Sequence, residues 1–560
     1  MKISIYSLLG YAALAAAQAT QTISSIPSGA PVVDLGYAKY LGYVNDTSQI
    51  TYYRGIQYAQ PPVDELRWRK PGPIEAGNTF NGATLNATAH APSCYQSAPY
   101  YVLLKFPGSG TPVPSSEDCL VLDVLVPNHP QSDRLPVVVQ IHGGGYTQGN
   151  TESYPGDRLT WASNGSVIYV AIQYRLGIFG FLGGSQIADN GVLNAGLLDQ
   201  RAALEWVQRN IGAFGGDPSR VTIWGGSAGG GSVTYQLTAG NAYDVPPFSA
   251  AIAEYPWWQP LLNQSQQDTQ LFTALRLSDC TSVSCLRSLS AVDLGTLGQQ
   301  VQNVSYPEAQ GYGSYYFGPV VDGEFVRDLP SQAFKKGNFY DVPIMLDRDA
   351  YEGFSFSNAS ETTQMAQVID AQQIFPYAGP AFFSRLYQLY PREAFNSTFY
   401  QRVQWFGDFI INCPTALVAS RAVDSVSNSS AVFKLTFAAG TETHAATGAF
   451  LASRDIAWSA GNNNATLAQI MTSYWTSFIT THDPNPGRVE GAPFWPSYAS
   501  GGNGSIAEGE GVGFQTLGVK YSEIVVEGDP DVSARCDFFS SNEYSDEDDA
   551  LVRISRAVKP

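Results

Sequence analysis

Ser227 stands in Gly225-Gly226-Ser227-Ala228-Gly229, directly after the apolar run 221–224. A serine hydroxyl is a weak nucleophile unless it is activated, and G-x-S-x-G after a strand serves to expose one. The turn from strand into helix is so tight that the flanking positions must be nearly free of side chain. The N-terminus of the following helix aims amide donors at developing negative charge, so the Ala228 N–H becomes one oxyanion donor. A second glycine run, His142-Gly143-Gly144-Gly145, closes the apolar run 137–141. Main chain can approach a substrate oxygen there, with Gly144 and Gly145 as donors, and one such donor is worth about 3 kcal/mol in the transition state. The chemistry these residues suit is acyl transfer. His142 is read as structural, because it precedes the glycines and comes before Ser227 in the chain.

Such a nucleophile needs a base and a group to orient it, in the chain order Ser, Asp/Glu, His. Only His444 and His482 follow Ser227. His444 lies in a loop just after the apolar run 432–437, where a base belongs. His482 follows a helical stretch and reads as a polar helix cap. The acid is expected after a strand between Ser227 and His444. The run 342–346 is followed by Asp347-Arg348-Asp349-Ala350-Tyr351-Glu352-Gly353. Three carboxylates compete there, and Asp347 and Asp349 could pair with Arg348 instead.

Strands must carry these loops. The runs 137–141, 167–172, 221–224, 250–253, 342–346 and 432–437 are continuous apolar stretches bounded by Gly or Pro, as expected of strands buried on both faces of a largely parallel sheet. Between the second and third, 197–210 reads as an amphipathic helix, and strand–helix–strand is the crossover unit of α/β folds. The 560 residues could make several domains, but the candidate catalytic pieces run from 142 to 444, so one large domain with long insertions is expected.

Net charge is −18, which repels nucleic acid and anionic membranes. Residues 1–17 carry one Lys, an apolar run and small residues, the pattern of a secretory leader; a membrane span would need about 20 apolar residues. The reading is residues 1–17 as signal peptide and 18–560 as one secreted, extracellular domain without stable membrane insertion. Six cysteines in an oxidising compartment favour disulfides, and the lack of a CxxC pair disfavours zinc. Ten Asn-x-Ser/Thr sequons between Asn45 and Asn503 suggest N-linked glycans.

YRGIQYAQPPVDELRWRKPGP, SSEDCLVLDVLVP, IHGGG, YRLGIFGFL, NAGLLDQRAALEWVQRNIGAFGGDPSRVTIWGGSAGG and RCDFF occur in this order. Together they resemble the type-B carboxylesterase family, which includes cholinesterases and large secreted fungal lipases. The resemblance implies an α/β-hydrolase fold, with a large mostly parallel sheet flanked by helices, and a Ser-Glu-His triad. Its acid, a Glu followed by Gly, selects Glu352; its base matches His444 and its oxyanion donors match Gly144, Gly145 and Ala228. It further implies disulfides Cys94–Cys119, Cys280–Cys285 and Cys413–Cys536, ion pairs Arg67–Glu117 and Arg175–Asp199, and no metal or organic cofactor. Two positions depart from the family. Tyr255-Pro256-Trp257 replaces the usual Ser-Gly that supports the acid. The short loop between Cys94 and Cys119 lacks the Trp with which cholinesterases hold a quaternary ammonium.

The expected reaction is hydrolysis of a small-molecule or lipid carboxylic ester through an acyl-enzyme, with Tyr255, Trp257 and Trp258 lining an apolar pocket. A short lid favours an esterase over a triacylglycerol lipase or sterol esterase. A non-catalytic, cholinesterase-like binding protein is disfavoured, because such members typically lose the nucleophile.

Overall fold

The computed structural model describes residues 22–541, apart from 24–25, 77–79, 106–112, 242–243, 308, 426–430, 453–463 and 502–512. The expected leader and the sequons at Asn428 and Asn503 lie outside these residues. The described strands of the main sheet are β1 (Tyr43–Asn45), β2 (Ile50–Gln57), β3 (Val121–Pro127), β4 (Leu135–Ile141), β5 (Ile168–Ile172), β6 (Gly216–Gly226), β7 (Ala250–Glu254), β8 (Ile344–Asp349), β9 (Val432–Ala438), β10 (Gln515–Lys520) and β11 (Ile524–Gly528). Their spatial order is β11-β10-β9-β8-β7-β6-β4-β5-β3-β2-β1. The stretch from β10 to β5 is parallel throughout. The edge pairs are antiparallel. This is an α/β-hydrolase fold.

Every residue of β4 and β5 is buried, as continuous apolar runs require when helices cover both faces. Alternation sorts their side chains between two cores. Val137, Val139, Ile141, Ile168, Val170, Val221 and Ile223 join one, with Leu197, Leu204 and Val207 of helix α1 (Ala195–Asn210) and Val233 and Leu237 of helix α2 (Ala228–Thr238). Val138, Tyr169, Ala171, Trp224 and Met345 join the other, with Met471, Trp475 and Phe478 of helix α3 (Ala465–Thr481).

The six expected strands correspond to β4 through β9, and the expected helix to α1. The outer strands had no such signature. ITYYRGIQ of β2 mixes polar and apolar residues, and its register against β3 shifts between Tyr53 and Ile56. Only partner strands define such edges.

The three disulfides are Cys94–Cys119, Cys280–Cys285 and Cys413–Cys536. Arg67 donates from Nε and Nη2 to Glu117 at 2.5 and 2.7 Å, and Arg175 donates likewise to Asp199, both at 2.7 Å.

A further buried network holds β8 and β9 together beneath their loop-bearing ends. Lys434 Nζ on β9 donates to Asp529 Oδ1 at 2.6 Å and Asp531 Oδ2 at 2.7 Å. Arg348 on β8 donates to both oxygens of Asp531, and Tyr498 Oη to Asp529 Oδ2. Burial alone would raise Asp531, but Arg348 and Lys434 outweigh it and hold its carboxyl at about 2. Breaking a buried pair strands the partner charge. Lys434→Met is therefore expected to cost about 3–5 kcal/mol of stability, read as a lowered urea midpoint with unchanged slope; a midpoint equal to wild type would contradict this.

Candidate active site

β6 ends at Gly226 and α2 begins at Ala228, with Ser227 between them at φ 59°, ψ −126°. A non-glycine residue there costs roughly 1–3 kcal/mol and persists only when its surroundings enforce it. Here they do. Ser227 N–H donates to the Glu254 carbonyl at 3.2 Å, and its own carbonyl accepts from Gly231 N–H at 2.8 Å and Trp257 N–H at 3.1 Å. The glycine spacing has a direct cause: a Cβ on Gly229 would overlap the carbonyl oxygen of Ile141, and one on Gly225 would overlap that of Gly229.

The loop after β4 packs on this elbow. A Cβ on Gly143 would lie 2.7 Å from the Gly226 carbonyl oxygen and 3.1 Å from Ser227 Cβ. Among the described residues, the N–H groups of Gly144, Gly145 and Ala228 find no acceptor within the chain, as expected at a helix start and in an open loop. His142 is fully buried, and its ring stacks on Tyr174 with centroids 4.4 Å apart. Its Nδ1 donates to the Gly143 carbonyl at 2.8 Å. Burial pushes its pKa down to about 4, so it stays neutral.

His444, in the loop after β9, lies with Nε2 2.8 Å from Ser227 Oγ and Nδ1 2.6 Å from Glu352 Oε2. Of the three competing carboxylates, Glu352 is the one that meets this imidazole. Asp347 Oδ1 accepts from Tyr255 N–H at 3.2 Å. Asp349 turns to the main chain of Ala446 and Thr447. Glu352 is supported by Asp349 N–H, which donates to its Oε1 at 2.6 Å. No serine is needed for that: Tyr255 instead packs its ring edge-on to His444 at 5.0 Å. His482 adopts φ 61° at the C-terminus of α3 and donates its N–H to the Phe478 carbonyl, as a cap does.

Glu254, Asp347, Asp349 and Glu352 are all buried at the ends of β7 and β8. Burial pushes Glu254 up to about 8, and pushes Asp347 and Asp349 well above the usual carboxylate range.

Of the three expected pocket aromatics, Tyr255 and Trp257 reach the imidazole, Trp257 with ring centroids 6.1 Å apart. Trp258 turns away: its Nε1 donates to Thr234 Oγ1, its ring stacks on Phe334, and it lines a separate cavity of about 90 Å³. Phe356, which no local pattern marked, packs 4.9 Å from His444. Tyr315, equally unmarked, covers Gly145, packs 5.7 Å from Trp257 and walls a cavity of about 510 Å³. Between Cys94 and Cys119 the helix Tyr100–Lys105 buries Tyr101 against Tyr312 and exposes Tyr100 and Leu104.

Residues 29–508 match the model of the carboxylesterase family. The carboxylesterase patB of Aspergillus clavatus is 34% identical over 61% of this chain and 68% of its own length. Secreted lipase 1 of Botryotinia fuckeliana is 30% identical over 80% of this chain and 84% of its own. The crystal structure of EstA from Aspergillus niger superposes with a TM-score of 0.78 at 28% identity, covering 91% of this chain and 98% of that one.

The buried state of His142 has a pH consequence. The unfolded chain takes up its proton near 6.5 and the folded chain only near 4. The unfolded state thus binds more protons in that window, and stability is lost as pH falls through it, by at most roughly 3 kcal/mol. Glu254 acts with opposite sign, losing stability as pH rises from 4.5 to about 8. The difference between wild type and His142→Gln isolates the first effect. Urea unfolding at pH 4.5 and 7 should show a smaller stability loss on acidification in the variant; an equal loss would refute the assignment.

Proposed function

Given that the chain belongs to the carboxylesterase family and is a carboxylic ester hydrolase, we propose that Ser227, His444 and Glu352 act as its nucleophile, base and orienting acid. The observation that carries this is the unbroken run of hydrogen-bond contacts from Ser227 Oγ through both imidazole nitrogens to a buried carboxylate. His444 Nε2 removes the hydroxyl proton as Oγ attacks the ester carbonyl. Glu352 holds the imidazole by Nδ1 and stabilises the imidazolium that forms. The N–H groups of Gly144, Gly145 and Ala228 take the oxyanion. The tetrahedral intermediate collapses as His444 returns the proton to the leaving alcohol. Water then attacks the acyl-enzyme by the same route, and the acid leaves with Ser227 restored. Tyr255 and Trp257 shape the apolar side of the pocket.

The protein is read as exported: residues 1–17 are a leader, 18–560 one catalytic unit, and the sequons carry N-linked glycans. Three disulfides support this, as does the likeness to a lipase named as secreted. Among the described residues no helix is long and apolar enough to cross a membrane.

Esterase action on soluble esters is preferred, because the helix Tyr100–Lys105 is short and tethered: Lys105 Nζ donates to the Ser355 carbonyl at 2.7 Å. The lipase reading draws on the exposed Leu104, Tyr100 and Phe354 around the same segment and on the lipases among the relatives. Tributyrin hydrolysis across its solubility limit separates the two: a sharp rise above that limit would overturn the esterase preference.

Ser227→Ala should fold and be secreted normally while losing on the order of 10⁴-fold or more in kcat; residual hydrolysis near the wild-type rate would exclude Ser227.

A further inference from the structure

Asp349 ends β8 and is fully buried, yet the hydrolysis outlined above assigns it no chemical step. We propose that Asp349 is a positioning residue for that hydrolysis: it locks the loop carrying His444 to the strand end carrying Glu352. The proposal rests on the reading of Ser227, Glu352 and His444 as the reacting groups.

The side chain and main chain of Asp349 serve the two partners separately. Its Oδ2 accepts from Ala446 N–H at 3.0 Å. Its Oδ1 accepts from Thr447 N–H at 3.1 Å and Thr447 Oγ1 at 3.0 Å. Its own N–H donates to Glu352 Oε1. One residue therefore grips the acid and the chain just beyond the base. On the near side of the base, Tyr351 N–H donates to the Glu442 carbonyl at 2.8 Å, and Tyr351 bridges Thr443. His444 is thus pinned from both directions. The pin matters because Glu442 and Ala445 both adopt positive φ, 59° and 70°. Such a loop is not held by local preference and needs tertiary bonds.

A carboxylate suits this place chemically. Three donors converge on it, and an ionised carboxylate only accepts. An amide would turn an N–H toward the N–H of Ala446 or Thr447. The surroundings oppose a negative charge. Asp347 lies on the same strand, Glu254 on β7 and Glu352 just beyond, with Tyr255 beside them. Arg348 donates to the main-chain oxygen of Asp349 at 3.2 Å but pairs its guanidinium with Asp531. Burial and the neighbouring Glu352 push Asp349 up. A position that served packing alone would be filled better by an uncharged residue.

The test compares full-length wild type, Asp349→Asn and Thr447→Val on p-nitrophenyl butyrate, with thermal unfolding of each. Asp349→Asn keeps the volume and replaces one acceptor oxygen with an N–H donor. Its kcat should fall roughly 10- to 100-fold while KM stays within about twofold. Thr447→Val removes one of the three bonds and should lower kcat less, again without raising KM; it decides the question alone if Asp349→Asn fails to fold. Wild-type kcat in either variant would overturn the proposal. So would a fall in kcat matched by a comparable rise in KM and a lowered melting temperature. Ser227→Ala in the same series tells the two failures apart. If it stays active, the underlying triad reading fails. If it is dead while Asp349→Asn is fully active, only the positioning role fails.

Discussion

The close contact between the elbow and the strand beside it governs the arrangement of the molecule. Gly229 lies so near the Ile141 carbonyl, and Gly143 so near the Gly226 carbonyl, that neither can carry a side chain. That contact exists because β6 pairs with β4 and not with β5, which precedes it in the chain. The connection crosses over, and the order of strands reverses there. In open α/β sheets the carboxyl ends of strands form a crevice at such a switch. The glycine loop after β4 and the elbow after β6 are thereby brought together, with Gly143 packed against Gly226 and Ser227. The strained φ of Ser227 is the local cost. Hydrogen bonds to Glu254, Gly231 and Trp257 hold it.

Charge is sorted by strand alternation. Successive side chains of a strand point to opposite faces, so Asp347 and Asp349 face the site while Arg348 faces Asp531 on the other side of β8. The basic residues that could neutralise the buried acids are occupied elsewhere: Lys434 and Arg348 both hold the C-terminal segment. Glu352 is left against the imidazole of His444, within a shell of Tyr255, Trp257 and Phe356. In so weakly polar a setting a carboxylate at hydrogen-bond distance interacts strongly with the imidazolium that the proposed reaction creates. The ion network beneath and the acids above are two halves of one arrangement.

Much of the fold was legible in local pattern. The strands β4 to β9 are continuous apolar runs, because helices cover both of their faces. The outer strands were not legible, since β2 and β10, next to the edges, become strands only by pairing with their neighbours. Ser227, Gly144, Gly145 and Ala228 could be singled out because steric demands at a turn leave glycines at fixed spacing. His444 could be narrowed to one of two histidines by chain order.

Sequence alone therefore determined what short-range sterics and periodicity encode: the elbow, the glycine loop, the central strands and the connecting helix. Tertiary structure decided what depends on distances across the chain. Glu352, Asp347 and Asp349 are chemically equivalent in sequence, and only the path of the chain beyond β8 sets Glu352 against His444 and Asp349 against Ala446 and Thr447. The missing serine beside the acid left its support open, and a main-chain N–H three residues earlier supplies it. Trp257 and Trp258 are adjacent in sequence, yet one faces the imidazole and the other Phe334. A carboxylate or an indole carries no local mark of its partner, because that partner lies many residues away and is met only after the sheet has formed.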